Sequence, residues 1–261
     1  MILVFDIGNT ETTVGVFESE ALRAHWRLTT ADDRTPDELG LLLHELLRAG
    51  NLERSAVTGA AIGSVVPAMT APLAEACERW LGVTPRVIDA RAGLPIVLQV
   101  DEPLTVGADR ILNTLAASRI YKVDTVVVDL GTATTYDCIT AEGVFFGGII
   151  APGLRTSADT LIRRTSKLPA TELVPPAHAI GTRTEECIRA GVLFGAADAI
   201  DGLVRRIKAE WPTKRVPKIV ATGGLAPLVT PLCREIDIVE PHLTLYGLQL
   251  AFAFLEQSAT A

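Results

Sequence analysis

Two stretches of the sequence, about half a chain apart, share one plan: an apolar strand runs into Asp-x-Gly, and hydroxyl-bearing residues follow. Ile2-Leu-Val-Phe leads to Asp6-Ile-Gly-Asn-Thr10 and resumes over Thr12 to Phe17, while Val126-Val-Val leads to Asp129-Leu-Gly-Thr-Ala-Thr-Thr135. At one constant offset Asp6 meets Asp129, Gly8 meets Gly131 and Thr12 meets Thr135. An apolar run closed by a glycine turn reads as strand, tight turn, strand. Two such hairpins predict two similar halves, residues 1–118 and 119–261, facing each other across a cleft. Asp-x-Gly after a strand is common, so coincidence is the competing explanation.

The segments between these hairpins alternate helix and strand. Thr35-Pro-Asp-Glu precedes Leu39, Leu42, Leu43, Leu46 and Leu47, the spacing of an amphipathic helix with Pro and acids in its first turn, and Gly50 ends it. Residues 56–65 are β-rich, 72–80 helical and 86–88 a strand. After the second hairpin come an apolar run over 144–150, helices over 154–164 and 184–208, a strand over 218–222 and a last helix over 245–255. Alternation of this kind predicts an α/β fold, and no low-complexity linker separates the halves.

The 261 residues are 48% hydrophobic and 21% charged, which asks for a folded core. A net charge of −7 argues against general electrostatic binding of nucleic acid. The four cysteines contain no CxxC pair, which predicts buried free thiols in a reducing cytosol rather than metal or disulfide sites. The start, Met1-Ile-Leu-Val-Phe, has no basic region and reaches Asp6 at once, so neither signal peptide nor membrane anchor is expected and the expected location is the cytoplasm.

The hairpins also carry chemistry. Asp6 can hold Mg²⁺ directly or through water, Gly8 lets backbone approach phosphates, and Asn9, Thr10, Thr12 and Thr13 supply neutral donors. No Lys accompanies them, and neither GxxxxGK[ST] nor GxGxxG occurs. The same residues also suit an ordinary β-hairpin. Asp129, Thr132 and Thr135 form a second acid, glycine and hydroxyl turn whose hard oxygen donors suit cations. A third turn, Thr222-Gly-Gly224, follows the strand before it. Gly147-Gly-Ile-Ile-Ala-Pro152-Gly153 reads as a glycine-rich turn before a helix. Thr105-Val-Gly107-Ala-Asp109-Arg110 opens a further helix, where Asp109 is either a cap or, in a kinase, the group that takes a hydroxyl proton while Arg110 anchors an anion.

In their order and over nearly the whole chain, these motifs resemble the type III pantothenate kinases of the sugar kinase, Hsp70 and actin superfamily. The resemblance rests on Asp6 to Thr10, Gly107 to Arg110, Asp129 to Thr135, Gly147 to Gly153, Gly181 with Thr184, Thr222 to Gly224 and Leu243 to Leu248. It implies two ribonuclease H-like halves and a homodimer that phosphorylates pantothenate with ATP, the first step towards coenzyme A. Carried over by position, it makes Asp6, Ile7, Gly8, Asn9, Thr10, Glu11, Thr12 and Thr13, with Thr132, the ATP site. It makes Asp129 the ligand of a potassium or ammonium ion, with Mg²⁺ accompanying ATP, and Asp109 the general base. Val100, Gly107, Ala108, Asp109, Arg110 and Thr184 become the pantothenate contacts, though the family commonly has Tyr where Val100 stands, which removes a phenol hydrogen bond. The rival readings are a regulatory relative without catalysis and a sugar kinase of the same superfamily. Retention of Asp6, Asp109, Arg110, Asp129 and Thr132 speaks against the first.

Overall fold

A computed structural model describes residues 1–260 of the chain, which divide into two compact units: residues 1–116 with 243–260, and residues 117–242. The first unit opens on β1 (Ile2–Ile7), β2 (Glu11–Glu18) and β3 (Ala21–Thr29), followed by α1 (Pro36–Ala49), β4 (Gly59–Ser64), α2 (Pro67–Ala76) and β5 (Arg86–Ile88). A two-residue strand, β6 (Val97–Leu98), precedes α3 (Ala108–Tyr121), which carries the chain into the second unit. There the order is β7 (Thr125–Leu130), β8 (Ala133–Ile139), β9 (Val144–Pro152), α4 (Leu154–Arg163), α5 (Thr184–Ala209), β10 (Lys218–Thr222), α6 (Ala226–Val229) and β11 (Ile238–Val239), and α7 (Leu243–Thr260) closes the chain.

The strands of the first unit are ordered β3-β2-β1-β4-β5 and those of the second β9-β8-β7-β10-β11. Both are the same arrangement: an antiparallel meander of three strands whose first member pairs in parallel with the fourth. The repeat seen in two short motifs therefore extends over both sheets.

Alternation along β1 sets the faces of the first sheet. Leu3, Phe5 and Ile7 pack with Leu39, Leu43 and Leu47 of α1 and Met69 and Leu73 of α2. Val4, with Ala61 of β4, packs on the opposite face with Ile111, Leu112 and Leu115 of α3 and Leu245, Leu248 and Ala251 of α7. Residues 243–260 thus belong to the first unit, whereas the division at 118 placed them in the second half, because the apolar stripe of α7 completes the face that α3 leaves half covered. In the second sheet Val126, Val128 and Leu130 pack against Leu193, Ala197, Ile200 and Val204 of α5.

Local signals account for most boundaries. Thr35 caps α1 through a capping box with Glu38, and Gly50 caps its end. The helix expected at 72 starts five residues earlier, with Pro67 in its first turn, so Pro72 lies inside it; the helix runs on as a π-turn, Cys77–Leu81, stopped by left-handed Gly82. Gly147 to Pro152 form the second half of β9 rather than a turn, and only Gly153 lies beyond it, at the N-cap of α4. The β8–β9 pairing absorbs the glycines through a register shift between Asp137 and Ile139. Cys77 and Cys138 are buried free thiols as expected, whereas Cys187, near the start of α5, is exposed and Cys233 half-buried. Burial pushes the Cys77 thiol up to about 12, which keeps it protonated and inert. Among the described residues no helix is long and apolar enough to cross a membrane.

Candidate active site

The first turn sits at the end of β1. Asp6 and Ile7 are still strand residues, paired with Thr13 and Thr12, and the reversal itself is Gly8-Asn9-Thr10, closed by the Gly8 amide donating to the Glu11 carbonyl at 3.0 Å. Asn9 and Thr10 are exposed at its tip. Thr30, just after β3, braces this turn: its hydroxyl donates to the Gly8 carbonyl at 2.7 Å and meets the Thr12 hydroxyl at 2.9 Å. A hydroxyl has one hydrogen. Thr30 has spent its own on Gly8, so Thr12 donates to Thr30, and the buried Thr12 acts as a strut beneath the turn. Glu11 is held from the neighbouring strand by Arg27.

Asp6 lies on the Val4 face of β1, the face covered by α3. Its parallel neighbour in β4 is Gly63, and the N-terminus of α3 lies directly over that glycine. An ideal Cβ on Gly63 would press into Leu112 Cδ1 and stand 3.8 Å from the Ala108 Cβ. The Val65 amide donates to the Ile7 carbonyl at 3.0 Å, and a Cβ on Gly107 would rest 3.4 Å from Val65 Cγ1. Two motifs a hundred residues apart in sequence, the Asp6 turn and Gly107-Ala-Asp109-Arg110, are in this way brought to one end of one sheet.

At that helix start Asp109 is half-buried. Its Oδ1 accepts the Arg110 amide at 2.9 Å, and Gly107 has no side chain to keep the carboxylate away. Desolvation raises the Asp109 carboxyl above its ordinary pKa, although the Arg110 amide and guanidinium pull in the opposite direction. A carboxylate partly withdrawn from water is chemically suited to accept a proton. Val100, also in the first unit, is half-buried in a bend after β6.

In the second unit Asp129 and Leu130 end β7, and the turn is closed by the Gly131 amide donating to the Ala133 carbonyl at 3.0 Å. This turn is one residue shorter than the first. Asp129 pairs with Thr135 as Asp6 pairs with Thr13, so Thr135 takes the place of Thr13 and the alignment with Thr12 holds only in sequence. Thr132 is exposed at the tip, and its carbonyl accepts the Gly153 amide at 3.1 Å and the Thr156 hydroxyl at 2.6 Å. Gly153 follows β9 as Thr30 follows β3, so each turn is braced from the same place in its unit. The third turn, after β10, touches the second: Gly223 has φ +89, and a Cβ there would come within 2.5 Å of Asp129 Oδ1 and 2.8 Å of the Leu130 backbone. Only glycine fits. Thr184 is exposed at the first position of α5.

These turns offer oxygen and backbone donors only, and among the described residues no group of three or more His, Cys, Asp or Glu is placed to hold a metal. A single carboxylate beside glycine backbone suits a cation carried in with phosphates, or a weakly held monovalent one, rather than a resident transition metal.

The family model for type III pantothenate kinase matches residues 2–206. The chain belongs to the type III pantothenate kinase family. It is 43% identical over 252 residues to the type III pantothenate kinase of Anaeromyxobacter dehalogenans, covering 96% of this chain and 98% of that protein. It is 42% identical over 261 residues to the Thermomicrobium roseum enzyme of the same name, covering the whole of both. Among solved structures, the activator of the 2-hydroxyisocaproyl-CoA dehydratase from Clostridium difficile with bound ADPNP superposes with a TM-score of 0.60 at 15% identity, over 99% of this chain and 97% of that one. That likeness is one of fold, the mixed α/β architecture of actin-like ATPases and sugar kinases. Thr30 escaped the sequence reading, and Gly153 was read only as part of a glycine-rich turn, because bracing through a carbonyl or an amide leaves no motif.

Proposed function

We propose that this chain transfers the γ-phosphate of ATP to the primary hydroxyl of pantothenate, giving 4′-phosphopantothenate, with Asp109 as general base. The observation that carries the assignment is the meeting of the Asp6 turn with the desolvated Asp109 at one sheet end in the first unit. The Asp6–Thr13 turn presents backbone amides and hydroxyls to the phosphates, Thr12 serving through its brace rather than by contact, and the family resemblance adds Thr132 as an ATP contact. Gly107, Ala108, Arg110 and the apolar Val100 receive pantothenate, Arg110 binding its carboxylate or the transferred phosphoryl group, and the family resemblance adds Thr184 as a substrate contact. The substrate oxygen forms the new bond to phosphorus, the bond to the ADP oxygen breaks, and the hydroxyl proton passes to an Asp109 carboxylate oxygen. Desolvation makes that carboxylate a stronger base than one in water.

Asp6 suits Mg²⁺ bound with the nucleotide, and Asp129 suits a potassium or ammonium ion. When bound, these ions neutralise phosphate charge that no Lys of the turns offsets. The working enzyme on this reading is a cytoplasmic homodimer. An ATP-consumption assay across pantothenate, hexoses and glycerol tests the acceptor: turnover confined to pantothenate is expected, and turnover on a hexose instead would make the chain a sugar kinase. Activity undiminished in sodium alone would remove the cation from Asp129.

A further inference from the structure

We infer that the side-chain oxygen of Thr222 is a second protein ligand, beside Asp129, for the monovalent cation; the inference rests on the proposed role of Asp129. Thr222 ends β10 and is the parallel neighbour of Asp129 in β7, whose antiparallel neighbour on the other side is Thr135 of β8. Residues paired across adjacent strands project to the same face. Three oxygen-bearing side chains therefore form a row across the sheet, on the face opposite the α5 core.

Within that row Thr222 is anomalous. It is 1% exposed, and its Oγ1 has no hydrogen-bond partner. A buried hydroxyl is almost always paired, so an orphan calls for an occupant. Thr222 does not donate to the neighbouring carboxylate, which leaves its own lone pairs, beside that negative charge, to meet something else. A phosphate oxygen would be repelled by Asp129, whereas a cation is drawn to both. One carboxylate and neutral oxygens, with no cluster of three acids, favour a single positive charge over a divalent ion.

The first unit provides an internal control. Its equivalent row is Gly63, Asp6 and Thr13, with glycine where the second unit has Thr222. The hydroxyl is thus no requirement of the strand-turn plan, and the extra oxygen occurs beside the aspartate proposed to hold the monovalent ion.

The test is thermal denaturation of the full chain with Mg²⁺ and a non-hydrolysable ATP analogue, titrated with potassium against sodium at constant ionic strength. Potassium should raise the wild-type melting temperature above its value in sodium. Thr222→Val should move the potassium midpoint at least about tenfold higher, Thr222→Ser should stay within about twofold, and Asp129→Asn should lose the potassium-specific shift. If Thr222→Val does not fold, Thr222→Cys replaces it, because a soft thiol is a poor ligand for a hard cation. A wild-type midpoint in these variants would overturn the inference, with water as the occupant, and a serine variant that behaves like valine would reduce Thr222 to packing. Absence of a potassium-specific shift in the wild type would remove the Asp129 reading as well. Phosphorylation of pantothenate, assayed separately, would survive either failure.

Discussion

Replacing Gly107 with alanine displaces the Asp109 carboxylate without removing it, and so separates the position of the base from its presence. The added Cβ would fall closer than 3.0 Å to Asp109 Oδ1, where ordinary contact begins at 3.4 Å. The carboxylate must therefore retreat by at least about 0.4 Å; its other near neighbour, Val65 Cγ1, is already at an ordinary 3.4 Å and need not move. Misplacing a reacting group by about 1 Å costs on the order of 10²-fold in rate, so kcat/KM for pantothenate should fall roughly 10- to 100-fold, about 1.4 to 2.7 kcal/mol of transition-state stabilisation. Stability should change little, because the group that yields is a side-chain oxygen at a helix start rather than backbone. The assay is coupled ADP release with pantothenate, with a melting curve as control. Turnover within about twofold of wild type in a folded Gly107→Ala protein would refute the claim that the placement of Asp109 governs the rate.

Asp109→Asn should lower turnover by about 10²- to 10⁴-fold and yet stabilise the fold. A carboxyl whose folded pKa is raised binds its proton more tightly when folded, so wild-type stability declines as pH climbs from the ordinary carboxylate range through the raised value. The gain in urea midpoint for the variant should accordingly be absent at acid pH and full at neutral pH. Asp124 has the opposite sign: burial alone would raise it, but donors from Trp211 at 3.0 Å, the Ala141 amide at 3.0 Å and Thr213 at 3.3 Å, with Arg215 nearby, hold it below its ordinary value. Asp124→Ala should cost about 3 kcal/mol by stranding those donors, and the wild-type contribution, present above the ordinary carboxylate pKa, should be lost as pH falls through the lowered one. Thr30→Val should cost about 1 kcal/mol in stability and raise KM for ATP more than it lowers kcat, because it frees Gly8 and Thr12 without touching Asp109.

What could be read from the sequence was what is written locally. The β1–β2 and β7–β8 hairpins, the capped start of α1 and the length of α5 follow from apolar period, glycine and capping residues near in sequence. β3 went unassigned although Ala21 to Thr29 alternate exposed and half-buried residues without a break, because charged residues interrupt the apolar count. The two glycines at 147 and 148 suggested a turn, and a strand tolerates them only because its partner shifts register. The one-residue difference between the two turns is invisible without pairing, since Thr12 and Thr13 are equally good matches for Thr135. The placement of α7 on the first sheet, the brace from Thr30 and the orphan hydroxyl of Thr222 depend on tertiary neighbours, for which no local pattern exists. For the candidate site the residue types were legible, whereas the approach of Asp109 to the Asp6 turn required Gly63 and Gly107 to be seen as the gaps that permit it.

The central claim is tested most directly by incubating the purified chain with ATP, Mg²⁺, potassium and pantothenate and following the products by phosphorus NMR and mass spectrometry. The account predicts one phosphomonoester, 4′-phosphopantothenate, formed in step with ADP and absent with Asp109→Asn. ADP formed without that ester, or the ester formed equally well by the Asp109→Asn protein, would contradict it.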